Sequence, residues 1–243
     1  MSVVPASVRV METHDYLAAL RRDGARLAEA ATDLARAVPS CPEWDVAELV
    51  WHTGEVHSFW REIATGGTPD GYTLPERPSN PGLLPWFTEG VEATAALLEK
   101  LDPEQPAWSW AAQRNVRFIQ RRMAQETAVH CWDALAAAGR DEPVERGLAA
   151  DGIDEFLTFF LPEAAPEHID VHLHATDASG EWLIRAGAEG WRIGHEHAKA
   201  AVAVRGTASD LLLLLWRRKR PVALETFGDT GMLEVFLAAA ELA

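Results

Sequence analysis

Glu126 and His130 stand four positions apart in the run Arg121-Arg122-Met123-Ala124-Gln125-Glu126-Thr127-Ala128-Val129-His130-Cys131-Trp132-Asp133. In a helix that spacing stacks two side chains on one face with Cβ atoms about 5–6 Å apart, a workable span for two ligands of one metal ion. Asp133 follows one turn later on the same face, where it can steady His130 or meet a substrate amine. Alone, such a pair serves equally well as a solvated surface contact. A metal site needs a third ligand from elsewhere, and His52 is the candidate. Two imidazoles and a carboxylate make a His₂Glu set of the kind that holds catalytic zinc with at least one position open. The same donors suit nickel, cobalt or iron(II).

Other histidines are weighed against that set. His57 lies about 140° around a helix from His52, so the two do not readily serve one ion. His172, His174, His195 and His197 form a competing cluster, because period-two spacing puts each pair on one strand face. With no carboxylate or cysteine evident beside them, they are read as half-exposed strand residues. Cys131 points about 100° away from His130 and is read as packing.

The elements that must position these residues follow from apolar periodicity. A stripe from His14 to Ala37 predicts an amphipathic helix. Val38 to Trp44 reads as a rigid turn. Asp45-Val46-Ala47-Glu48 has the form of a capping box, starting a helix near Val46 that carries His52 and ends at Gly66-Gly67. Thr68 to Leu83 is Gly- and Pro-rich and reads as a long loop. Further helices are expected over 84–101 and 116–138, the latter closing at Gly139. Four such helices predict an up-and-down bundle, in which facing His and Glu residues build metal sites. A fifth helix is expected over 148–161. Beyond Pro162 the pattern becomes strands at 170–176, 181–186, 191–193 and 201–204. An all-apolar helix at 211–216, an edge strand at 222–225 and a helix over 229–242 complete the chain. The expectation is a two-domain α plus α/β chain, with a helical bundle over 1–162 and a small α+β domain over 163–243.

Composition narrows the partners. The 243 residues are 48% hydrophobic and carry a net charge of −15, which argues against a general nucleic-acid binder. The basic run Arg217-Arg218-Lys219-Arg220 reads as a solvated helix end. No segment has the roughly 18–20 apolar residues that span a bilayer, and Met1 to Met11 lack the layout of a signal peptide. Two cysteines, Cys41 and Cys131, suit a reducing compartment. The expected location is cytoplasmic, with no membrane and no nucleic-acid partner.

Three motifs in order carry a family resemblance. Val38-Pro39-Ser40-Cys41-Pro42-Glu43-Trp44 followed by a helix bearing His52, Glu126-Thr127-Ala128-Val129-His130-Cys131-Trp132-Asp133, and Gly206-Thr207-Ala208-Ser209-Asp210 leading into Leu211 to Trp216 resemble the mycothiol-dependent maleylpyruvate isomerase family. The resemblance implies a DinB-like metal-binding four-helix bundle and a smaller α+β domain similar to sterol carrier proteins. It places metal ligands at His52, Glu126 and His130, and implies zinc or another divalent metal with mycothiol as the thiol. A metal-bound thiolate would attack a small electrophilic substrate, as an isomerase or a thiol S-transferase. An arginine is expected to grip substrate carboxylates bidentately, with Arg217 and Arg205 as candidates and Arg217 preferred. Asp133 is expected beside the metal and thiol. The alternative is a non-catalytic protein of the same fold that binds metal or an apolar ligand; direct hydrolysis by metal-bound water ranks last.

Overall fold

A computed structural model of the chain describes residues 11–240, which fold as two compact units divided between Val144 and Glu145. The first contains α1 (Thr13–Ala30), a hairpin of β1 (Ala37–Val38) and β2 (Cys41–Asp45), α2 (Val46–Ala64), α3 (Asn80–Lys100) and α4 (Val116–Ala137). Helix α1 packs on α3 and α4, and α2 packs on the same two, which makes the expected four-helix bundle. The core stripes are those that three- and four-residue spacing dictates: Leu17, Leu20 and Leu27; Leu49, Val50 and Ile63; Phe87, Val91 and Leu98; Ile119, Met123 and Leu135.

Local chemistry sets the helix starts. Asp45 caps α2, its Oδ1 accepting from Glu48 N at 2.9 Å. The other half of the anticipated capping box does not form, because the Glu48 carboxylate takes Arg77 Nη1 at 2.6 Å instead. Asn115 caps α4 through Phe118 N. Helix α3 begins four positions earlier than its apolar pattern suggested, since Pro81 occupies its first turn, where a missing N–H costs nothing.

Helix α1 stops at Ala30 instead of running to Ala37, and the stretch expected as a plain turn is an antiparallel hairpin. Pro39 and Pro42, which have no backbone N–H to give, keep the hairpin stretch itself from continuing as helix. Arg36 O and Leu34 O then accept Val46 N and Ala47 N, both at 2.9 Å, and fasten the hairpin to the start of α2.

The second unit holds α5 (Arg146–Phe159), β3 (Ile169–Ala175), β4 (Glu181–Gly187), β5 (Gly190–Gly194), β6 (Val202–Gly206), α6 (Ala208–Leu215), β7 (Glu225–Gly228) and α7 (Thr230–Ala239). Its sheet runs β5-β4-β3-β6-β7, with β3 and β6 parallel and the other pairs antiparallel. Helix α6 is buried at every position from Leu211 to Leu215, as its uninterrupted apolar run requires. Helix α5 packs against α6 and so belongs to this unit, which puts the division ahead of α5 and not at the 162/163 boundary read from the change of pattern. Strand β7 starts at Glu225, after a 3₁₀ turn at Pro221–Ala223 that displaces the expected edge strand. The expected end of the last helix, at Leu242, lies outside the described residues.

Two bundle residues are tightly constrained. Gly54 on α2 lets the Trp86 ring of α3 approach so closely that an added Cβ would lie 2.3 Å from Trp86 Cζ3. His57 is fully buried, with Nε2 2.8 Å from Thr127 Oγ1. Thr127 spends its only hydroxyl proton on Met123 O, so His57 Nε2–H is the donor. Burial pushes its pKa down to about 3.

Gly54→Ala is expected to lower stability by about 1–3 kcal/mol through overpacking against Trp86, measured by urea denaturation. For His57, the unfolded chain binds a proton below about pH 6.5 that the native state refuses until about pH 3. Its contribution is therefore complete above pH 6.5 and is lost as pH falls, at up to about 1.4 kcal/mol per pH unit. His57→Leu should flatten stability against pH between 6.5 and 4; an unaltered slope would show that His57 is not the buried neutral group.

Candidate metal centre

Helix α4 is buried on nearly every side, so its polar side chains must find partners inside the bundle. His130, only 5% exposed, directs Nε2 to Glu126 Oε1 at 3.1 Å, one turn back on the same face. From the second turn of α2, His52 brings its own Nε2 to 3.5 Å from the same Glu126 oxygen. The His52 and His130 rings meet edge to face with centroids 5.2 Å apart. The second Glu126 oxygen accepts from buried Arg122, at 3.3 Å, which leaves Oε1 turned toward the two imidazoles.

The other nitrogen of His130 is equally determined. Its Nδ1 lies 3.0 Å from Asp133 Oδ2, and Asp133, with no exposure at all, accepts from Ser40 Oγ at 2.5 Å through its other oxygen. Ser40 comes from the β1–β2 turn. Trp44, on β2, lays its ring 4.7 Å from His52 and 6.0 Å from His130, centroid to centroid. The hairpin thus walls one side of the cluster. His52 keeps more than a third of its side chain exposed while His130 is closed off, so the approach from solvent is on the His52 side.

Charge follows from this geometry. Burial works to raise the pKa of Glu126, but the adjoining His130, His52 and Arg122 outweigh it and hold the carboxyl well below its usual range. Burial works the other way on His130, and Glu126 and Asp133 outweigh it to hold the imidazole up at about 9. Without a cation, a proton is trapped among these groups.

These residues fit a divalent ion. His52, Glu126 and His130 each offer one ligand atom, all within 4.8 Å of one another. Tetrahedral bonds of about 2.0–2.1 Å separate ligand atoms by about 3.3 Å, and the two N···O distances to Glu126 Oε1, 3.1 and 3.5 Å, bracket that value. A carboxylate on the far nitrogen of a metal-binding imidazole fixes its tautomer and raises its basicity, which is where Asp133 sits.

Three expected ligands are therefore brought together, with Asp133 directly behind one of them. His57 lies outside the cluster, bonded to Thr127. Cys131 is buried and its pKa is pushed up to about 12 by that burial, which makes it an inert packing residue. Arg217 adopts a left-handed φ of 59° after α6 and gives Nη2 to Leu237 O at 2.9 Å and Ala240 O at 2.7 Å. It caps the C-terminal carbonyls of α7, a use that the substrate-gripping expectation did not foresee. Arg205 faces Glu225 at 3.4 Å. Arg122 went unnoticed in the sequence, although its place four residues before Glu126 was a signal. Ser40 and Trp44 entered only as parts of a motif, because their roles depend on the hairpin.

Comparison with known proteins agrees with this architecture. The family model described as "Mycothiol maleylpyruvate isomerase N-terminal domain" matches residues 17–135, and the "MDMPI C-terminal domain" matches residues 147–234. Among solved structures, a mutant mycothiol-dependent maleylpyruvate isomerase superposes with a TM-score of 0.62 at 10% identity, covering 91% of this chain and 95% of that one. Another structure of a mycothiol-dependent maleylpyruvate isomerase gives 0.56 at 10% identity, over 86% and 90% of the two chains. At that identity the likeness is one of fold. No curated protein matches the chain. Both domain models match in order over most of the sequence, so the chain belongs to the mycothiol-dependent maleylpyruvate isomerase family.

Proposed function

We propose that the helical bundle binds one divalent metal ion, zinc in the first instance, through His52, Glu126 and His130, and that the protein uses it with mycothiol to act on a small electrophile. The observation that carries this reading is the convergence of three ligand atoms from two helices on one point, with His130 locked from behind by Asp133. Three protein ligands leave at least one coordination position for a thiol. When bound, the metal would supply charge that stabilises a thiolate at neutral pH.

The chain's own residues supply the rest. Arg122 holds Glu126 so that a single oxygen faces the imidazoles. Asp133, itself held by Ser40 and fully buried, fixes His130 in orientation and acts through it. The Trp44 ring covers both imidazoles and keeps bulk water from that side. The reaction class is either cis–trans isomerisation or thiol S-transfer. In the first, sulfur adds to a carbon–carbon double bond, the bond rotates, and elimination returns the thiol. In the second, the sulfur adds to the electrophilic carbon as its π bond breaks, and the neighbouring atom takes up the thiol's proton, so that the sulfur stays attached. The names of the similar structures favour the first. Arg217 has no part in the proposal, since its guanidinium is already given to α7. Neither Cys41 nor Cys131 is in a disulfide, in keeping with a reducing cytoplasm where a low-molecular-weight thiol persists.

The test is metal content set beside thiol-dependent turnover. His52→Ala should remove one metal equivalent per chain and abolish mycothiol-dependent isomerisation or transfer, with the far-UV spectrum unchanged. Unchanged metal content in that variant would sink the reading; metal loss without any thiol-dependent activity in the parent chain would support a non-catalytic bundle. Asp133→Asn should weaken metal binding at the bundle about 10- to 100-fold by freeing the imidazole of His130, read by competition with a chromophoric chelator. Full affinity in that variant would mean that His130 needs no support.

A further inference from the structure

The β3–β4 register brings together a second set of metal-ligand side chains. His172 and His174 alternate onto one face of β3, while Val171 and Leu173 on the other face are buried in the apolar core. Antiparallel pairing sets Glu181, the first residue of β4, opposite His174. His197, in the segment after β5, reaches the same carboxylate. Glu181 Oε1 lies 2.6 Å from His174 Nδ1 and 3.0 Å from His197 Nδ1, and its Oε2 is bonded to His172 Nε2. The three imidazoles surround it at mutual centroid distances of 5.2–6.2 Å. His195, grouped with them by spacing, instead lies 3.6 Å from Asp154.

From this geometry we propose that His172, His174, Glu181 and His197 form a second divalent-metal site, separate from the one in the bundle. One ligand atom from each of the four lies within 4.8 Å of the other three, so small side-chain movements bring them to a common ion. An ion replaces the protons that the imidazoles now share with the carboxylate. Three nitrogens and one oxygen select zinc or a neighbouring transition ion and disfavour magnesium and calcium, which require oxygen. Four protein ligands fill a tetrahedral shell, so this is a closed, structural site, in contrast to the three-ligand centre of the bundle. Its effect is to pin the segment carrying His197 to strands β3 and β4. The ion enters past His197, whose side chain is 76% exposed, while His172 at 5% forms the floor. Arg205, across from His174 on β6, has its charge turned to Glu225.

The test is zinc stoichiometry of the tag-free, full-length chain after stripping by chelator, reloading and desalting. The wild type should hold two equivalents, His52→Ala one, and His52→Ala combined with His174→Ala none. His197→Ala, a change on an exposed segment that leaves the core untouched, should weaken the second site at least tenfold with the far-UV spectrum unchanged. A single equivalent in the wild type that disappears in His52→Ala would overturn the proposal, as would a second equivalent that survives both His174→Ala and His197→Ala. A single equivalent indifferent to His52→Ala and lost with His174→Ala would uphold this site while removing the one in the bundle.

Discussion

Asp133 is fully buried, yet it is a carboxylate in the interior of a helical bundle. An isolated charge there would be prohibitive, and removing one partner from a buried pair costs about 3–5 kcal/mol. The environment of α4 is built around meeting that demand. His130 takes one oxygen and the Ser40 hydroxyl takes the other. Ser40 is brought there by the β1–β2 hairpin, and the hairpin holds its place because Arg36 and Leu34 carbonyls accept the first amides of α2. With Nδ1 of His130 committed to Asp133, the ring has one remaining direction for Nε2, and that direction is the meeting point with His52 and Glu126.

Strong ordering of this kind is expensive for a structural purpose alone, since an apolar core of the same volume is often at least as stable. Glu126 is held on both oxygens, by Arg122 and by the two imidazoles, and a proton is retained on His130 well above its ordinary pKa. A cation that displaced this proton would find its ligands already oriented, so little ordering entropy would be lost on binding.

How much of this could be read from residues alone depended on the kind of periodicity involved. Helical spacing is a local rule, so Glu126, His130 and Asp133 could be placed on one face, whereas His52 rested on the expected bundle and on the family resemblance. His57 could be rejected by the same rule. Sheet register is not local. A hairpin turning at 177–180 is legible in the linear order, but the register that sets Glu181 opposite His174 is not, so the four histidines read as strand residues without a carboxylate. The hairpin escaped because its two prolines read equally well as a turn. The assignment of α5 is non-local for a related reason: in sequence it looks like the last helix of a helical series, and only its packing on α6 places it with the sheet domain. Arg217 carried a plausible charge but no spacing argument, and its guanidinium proves to be fixed on carbonyls of α7.

The central claim is that a metal at His52, Glu126 and His130 presents an open position to a thiol. The most direct measurement is the absorption spectrum of the cobalt(II)-substituted protein during titration with mycothiol. A saturable thiolate-to-cobalt charge-transfer band is expected, absent from His52→Ala and retained in His197→Ala. A spectrum that stays unchanged at saturating mycothiol, in a protein shown to carry cobalt in the bundle, would contradict that claim.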